Sequence, residues 1–229
     1  PGEALVNGKY WCLEDSAGTC KNGFLYSFYA VMNDSACDDD GCSVVYPHQG
    51  LCPEGFHVPE NYEWRELTER AFLLDIPLGM ASEFNAEPTG EYEYPFGNLH
   101  HDDFARYWTS TPKRPDGAYE WYIWAGNDSL QNQVFSAEYG YALRCVADAG
   151  DVKLDKYVEF EIPERPSTHE GSSSSRRVYS SSSSFMERSS SSYTIDVSYV
   201  AEGGLNAFTD KRDGNVYRVL TVGPQIWMV

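Results

Sequence analysis

DGNVYRVLTVGPQIWMV, residues 213–229, is the stretch whose reading decides the fold. Val216–Val222 is rich in β-branched and aromatic residues. Gly223-Pro224 forms a turn, and Gln225–Val229 returns as a second strand, so the segment reads as a β-hairpin. A two-stranded hairpin is marginal in water by itself. Val219, Val222, Ile226 and Trp227, with Tyr217, are therefore expected to complete a sheet whose other strands lie elsewhere. Working back along the chain, residues 193–229 hold a further strand at Tyr193–Tyr199. Residues 172–192 are a Ser-rich low-complexity stretch that reads as a linker open to glycosylation. Residues 148–171 contain an alternating strand pattern at 152–162, stopped by Pro163 and Pro166. The remaining unit, 1–147, is the body to which a hairpin could belong.

Composition narrows the partners. The chain has 35 acidic against 17 basic residues, a formal charge of −18, which repels phosphate backbones and excludes nucleic acid. No run of about 20 apolar residues is present to span a bilayer. The chain opens on Pro1 rather than Met, which reads as a processed or excised form. Six cysteines all precede residue 146, with no C-x-x-C pair of the zinc-binding kind. Their spacing suggests two local staples, Cys12–Cys20 and Cys37–Cys42, and one long-range bond, Cys52–Cys145. The long loop closed by the last stabilises the fold by about 4–5 kcal/mol in the chain-entropy picture. Such bonds imply an oxidising compartment.

Within the body, Phe24–Met32 (FLYSFYAVM) is a short apolar segment between Gly23 and Asn33 and reads as a buried helix. After Pro59, Trp64, Leu67, Ala71 and Leu74 recur at helical spacing, with Glu60 as cap, Glu63 at the third position and Pro77 as the stop. Residues 79–104 read as a long ordered loop. Strands follow at Tyr107–Thr111, Ala118–Ala125, Gln133–Ala137 and Tyr141–Val146. Around Trp121 both faces of the strand are aromatic or apolar, so one needs a cover or a ligand.

The chain resembles a bacterial surface family, the Fibrobacter succinogenes major paralogous domain. The resemblance rests on Asp213-Gly214, Tyr217, Val222-Gly223, Gln225 and Trp227-Met228. It continues in Trp11-Cys12, Cys20, Gly23-Phe24-Leu25-Tyr26 and Cys52-Pro53-Glu54-Gly55-Phe56-His57-Val58-Pro59 with Trp64. Tyr107-Trp108-Thr109-Ser110 and Arg144-Cys145-Val146 close it. The Cys52 block followed by a helix and a final strand ending in Arg144-Cys145-Val146 also resembles the C-type-lectin-like architecture. This implies an α+β fold with two helices and small twisted antiparallel sheets, on an extracellular or outer-surface bacterial protein without catalytic role. One departure matters: the family's opener should precede Trp11-Cys12, and here it follows about 200 residues later. The body, 1–147, then lacks its first hairpin. Three readings stay open. The hairpin begins a second repeat, folds back to complete its own body, or completes a neighbouring subunit by strand addition, which makes a head-to-tail filament.

Binding residues are sparser. Glu87-Pro88-Thr89 and Asn127-Asp128 are similar to the paired motifs that hold calcium and a sugar in C-type lectins. Turn chemistry is the competing reading, and the match is incomplete because Thr89 replaces Asn. Asp38-Asp39-Asp40-Gly41 and His100-His101-Asp102-Asp103 read as solvated polar loops before metal sites. Tyr119, Trp121 and Trp124 are the densest aromatic group and could form a polysaccharide platform, against the alternative of sheet packing. No Ser/His/Asp spacing stands out and the cysteines read as paired, so nucleophilic catalysis has no candidate. The expectation is a structural or adhesive surface protein, plausible as a filament subunit that donates its C-terminal hairpin. The alternative is a carbohydrate-binding surface module with no polymer role.

Overall fold

The computed structural model describes residues 8–14, 20–38, 41–80, 82–100, 103–114, 116–127, 129–148 and 205–229. The strand expected at 152–162, the Ser-rich linker and the strand at 193–199 lie outside these residues. Along the chain the elements are β1 (Tyr10–Glu14), β2 (Cys20–Tyr26), α1 (Phe28–Met32), β3 (Cys37–Asp38), β4 (Gly41–Cys42) and β5 (Phe56–His57). Next come α2 (Asn61–Leu73), β6 (Glu91–Glu93), β7 (Asn98–His100), β8 (Phe104–Arg114), β9 (Gly117–Trp124) and β10 (Gln131–Ser136). The last are β11 (Val146–Ala147), β12 (Leu205–Thr209), β13 (Val216–Val222) and β14 (Gln225–Met228). The described part is thus α+β, with two helices and antiparallel sheets. One sheet runs β10-β9-β8, another β12-β13-β14-β11-β5, and three two-stranded ribbons complete the set.

The segment Phe24–Met32 is helical only from Phe28. Phe24 to Tyr26 belong to β2, because Tyr26 exchanges backbone hydrogen bonds with Tyr141 (2.8 and 3.0 Å), and that tertiary pairing overrides a helical reading. Ser27 then caps α1 through its side-chain oxygen, and all five helical residues are buried.

α2 starts as its sequence suggests. Glu60 is the N-cap, and the Glu63 carboxylate accepts the Glu60 N–H at 2.8 Å. It ends at Leu73, before the expected stop at Pro77. The Ile76 N–H reaches the Ala71 carbonyl at 2.8 Å across a left-handed Asp75 (φ 55°), a Schellman closure without glycine. Trp64, Leu67 and Ala71 are buried, whereas Leu74 is the C-cap within the closure and is exposed.

The 79–104 region is not all loop, since β6 and β7 pair within it. This hairpin is strapped to the body: Tyr92 bridges Gly140 and stacks on Trp11 at 3.8 Å between ring centroids. A Cβ at Gly140 would come within 2.7 Å of the Trp11 ring and the Tyr92 Cβ, so this close approach requires glycine. The last predicted body strand, Tyr141–Val146, divides into bridging residues Tyr141 and Ala142 and the short β11.

Two packed clusters form the core. One joins α2 residues Trp64, Leu67 and Ala71 to Val146, Leu220, Val222 and Trp227. The other joins α1 to Phe56, Trp108, Tyr141, Val219 and Met228. Residues from the 213–229 stretch thus enter both.

Candidate functional site

The hairpin β13–β14 is seated on β11 of its own chain. One row of side chains crosses four strands: Leu220 faces Trp227, Trp227 faces Val146, and Val146 faces His57. Directly opposed residues in antiparallel strands point to the same side, and α2 covers this row. Trp227 is fully buried, with its ring 4.7 Å from Trp64 and 6.3 Å from Phe84 between centroids. Its indole N–H donates to Gln225 Oε1 (3.3 Å), and the Gln225 amide donates to the Glu63 carbonyl at the start of α2 (3.2 Å).

Arg144 closes the seat from the other end. Its guanidinium donates to the Met228 carbonyl (3.2 Å) and to the Asn85 carbonyl, and lies over the Phe84 ring at 4.3 Å. The Met228 N–H in turn donates to the Cys145 carbonyl at 2.9 Å. The opposite face packs Val219 and Met228 with Phe56, and the Phe56 ring meets Phe208 of β12 at 4.7 Å. Of the residues expected to mediate assembly, Val219, Val222 and Trp227 are buried in the seat and Ile226 is packed against its edge. Tyr217 differs: it is 36% exposed and lines a groove of about 820 Å³ together with Tyr10, Tyr26, Tyr107 and Glu87.

His57 bolts the far end of the row. Nε2 lies 2.9 Å from Glu63 Oε1 on α2, and Nδ1 lies 2.6 Å from Asp148 Oδ1 just after β11. Both ring nitrogens meet carboxylates, the arrangement suited to an imidazolium. Burial by itself pushes the imidazole pKa down, but the hydrogen bonds and charges of Glu63 and Asp148 outweigh it and hold the pKa above its ordinary value. The sequence reading has His57 packing or bonding near the start of the helix after Pro59, and Glu63 lies there; Asp148 is 91 residues away, and nothing local announces that second contact.

The aromatic group on β9 does not form one platform. Successive strand residues face opposite sides, so Tyr119 and Trp121 share one face and Trp124 lies on the other. Trp121 is 4% exposed, stacks near Trp64 and donates its indole N–H to Asn61 Oδ1 at 2.8 Å. That makes it a core residue. Tyr119 is half-buried with Lys113 Nζ 5.5 Å from its ring, and Trp124 is 46% exposed. Between them Glu120 is fully buried and pairs with Arg106, which also reaches Glu91 (3.1 Å) and sits 4.2 Å from the Phe104 ring centroid. Burial pushes the Glu120 carboxyl up to about 7, with Arg106 offsetting part of the rise. Arg106, with its guanidinium over the Phe104 and Tyr141 rings, packs on the second face of β9, where Trp124 stays open.

The candidate calcium ligands come from two loops, one of them described only in part. The Asn127 side-chain oxygen is taken by the Ser129 N–H at 2.9 Å, and Asp128 lies outside the described residues. Glu87 lines the groove on a different loop. Among the described residues no group of three His, Cys, Asp or Glu could hold a metal ion. Asp39, Asp40, His101 and Asp102 also lie outside the described residues. The bonds Cys37–Cys42 and Cys52–Cys145 are formed as the spacing suggests, and Cys12 is disulfide-bonded. The Cys20 side chain falls outside what is described. Among the described residues no helix is long and apolar enough to cross a membrane.

Comparison with known proteins adds no neighbour: no family model, no curated protein and no solved structure matches this chain.

Proposed function

We propose that the chain is an extracellular structural or adhesive surface protein of C-type-lectin-like architecture, with its C-terminal hairpin as an exchangeable assembly element. One observation carries the reading. Trp227 and its hairpin occupy the core of a body from which they are separated by residues 149–204. That connection spans up to about 190 Å when fully extended. The same hairpin is therefore able to enter its own seat or an identical seat on another copy, with no new contact required. Exchange in one direction leaves an open seat at one end and a free hairpin at the other, so it propagates head to tail. The disulfides support an oxidising, extracellular setting.

Tethering favours self-insertion until protein concentration reaches the millimolar range typical of intramolecular effective concentrations. Monomers are expected in dilute solution, and chains after unfolding and refolding at high concentration. The test mixes two full-length variants, Trp227→Ala, which weakens the hairpin's hold on its own seat, and Val146→Asp, which disables the seat. Co-refolding should yield a heterodimer by size exclusion, with one repaired seat. If neither heterodimers nor wild-type chains appear in negative-stain images at high concentration, the exchange reading fails.

A further inference from the structure

The loop joining β9 to β10 carries Asn127 and Ser129 at the spacing Asn-x-Ser, the acceptor pattern for N-linked glycosylation. The geometry points to Asn127 as a glycan acceptor whose first sugar packs on Trp124; this inference rests on the extracellular reading above. The Asn127 N–H donates to the Trp124 carbonyl at 3.0 Å, closing a four-residue turn. Gly126, at its third position, has φ +78°, and Ala125 is not left-handed, which makes the turn type II. Such a turn brings the Cα atoms of residues 124 and 127 within about 7 Å. Trp124 is 46% exposed, and Phe104 holds its ring edge-to-face at 4.8 Å, so the indole offers a fixed open face beside the acceptor.

The acceptor itself is presented. Asn127 Oδ1 accepts the Ser129 N–H (2.9 Å), which orients the carboxamide and leaves Nδ2 free of protein partners among the described residues. Ser129 is exposed, and a Cβ built on Gly126 would meet nothing within 4 Å, so a bulky substituent has room. The apolar face of a pyranose stacks on an indole as other apolar groups do. In the transfer, the Asn127 Nδ2 bonds to C1 of an oligosaccharide carried on a lipid pyrophosphate. The C1–O bond breaks with its electron pair leaving on the pyrophosphate, and the Nδ2 proton passes to a base of the transferase.

The chain contains an internal control. Asn33 and Ser35 repeat the pattern, but Asn33 is the left-handed C-cap of α1 and closes the end of a helix whose five residues are all buried. The residue three places before it is the fully buried Ala30, so no aromatic platform is available. Asn127 should be modified and Asn33 not.

The test secretes the full chain through an N-glycosylating pathway and reads intact mass and peptide maps, with the Cys52–Cys145 bond assayed on the same sample. Wild type and Asn33→Gln should carry one glycan; Asn127→Gln and Ser129→Ala should carry none. Trp124→Ala should lower occupancy about threefold or more through the lost stacking surface. An unmodified Asn127 in secreted protein overturns the acceptor, as does a glycan that survives in Asn127→Gln. Occupancy unchanged in Trp124→Ala overturns the platform. Free thiols at Cys52 and Cys145 in secreted protein would instead count against the extracellular reading, whatever the mass at Asn127.

Discussion

Replacing Trp227 by Ala is the sharpest perturbation of the seat. The side chain is fully buried, touches the rings of Trp64 and Phe84, and sits between Leu220 and Val146 in the row beneath α2. Truncating a buried Trp removes its transfer energy and leaves a cavity, together about 3–5 kcal/mol. The indole hydrogen bond to Gln225 Oε1 is lost as well, and that buried acceptor is left unpaired, which places the loss toward the upper end of this range. For a domain of this size each kcal/mol moves the melting temperature by about 2–4 °C, which predicts a fall on the order of 10 °C. Heat denaturation followed by circular dichroism reads it, with Val216→Ala as control. Val216 lies on the same hairpin but is 50% exposed, and its variant should stay within about 0.5 kcal/mol of wild type. Should Trp227→Ala melt within a degree or two of Val216→Ala, the hairpin is not part of the core and the seat described above does not exist.

Two further variants probe the buried charges. His57→Gln should cost about 2–3 kcal/mol at pH 5.5, from charge-assisted hydrogen bonds to Glu63 and Asp148. Because the folded-state pKa of His57 is raised, this contribution is full below the unfolded value near 6.5 and is lost as pH rises through the folded one. The gap from wild type in urea unfolding should therefore narrow by pH 9; a gap that widens with pH contradicts the clasp. Arg106→Gln should cost about 3–5 kcal/mol by leaving Glu120 buried without its cation, and adding Glu120→Gln should recover part of that loss. The Glu120 carboxyl, raised to about 7, binds its proton more tightly in the folded state, so its contribution to stability falls as pH rises from 4.5 to 7. Glu120→Gln should flatten the wild-type pH profile in that window.

Local signals were the ones legible in the sequence. The Glu60–Glu63 start of α2 and the Gly223-Pro224 turn depend on neighbours within a few residues, and their positions hold. The failures have more than one cause. Tyr26 leaves the helix because Tyr141 pairs with it, and α2 stops early because Asp75 accepts a left-handed conformation that its type does not advertise. β12 went unread because Leu205–Thr209 gains its strand character from pairing with β13. The site divided similarly. Trp227 was found through the hairpin it belongs to. Arg144, His57 with Asp148, and Arg106 with Glu120 were missed as functional contacts, since each joins residues from different elements. The aromatic trio on β9 was misjoined because proximity in sequence placed Trp121 and Trp124 together, while the pleat sends them to opposite sides.

The pairing of Val146 with Trp227 also sets a schedule for synthesis. At about 5–20 residues per second, the ribosome needs roughly 4–16 s to travel from one partner to the other. Throughout that interval β11 has no β14 to pair with and the α2 row lacks its indole, so the chain stays short of its final packing. A translocation machine that accepts only incompletely packed polypeptides would find its substrate open for that whole time.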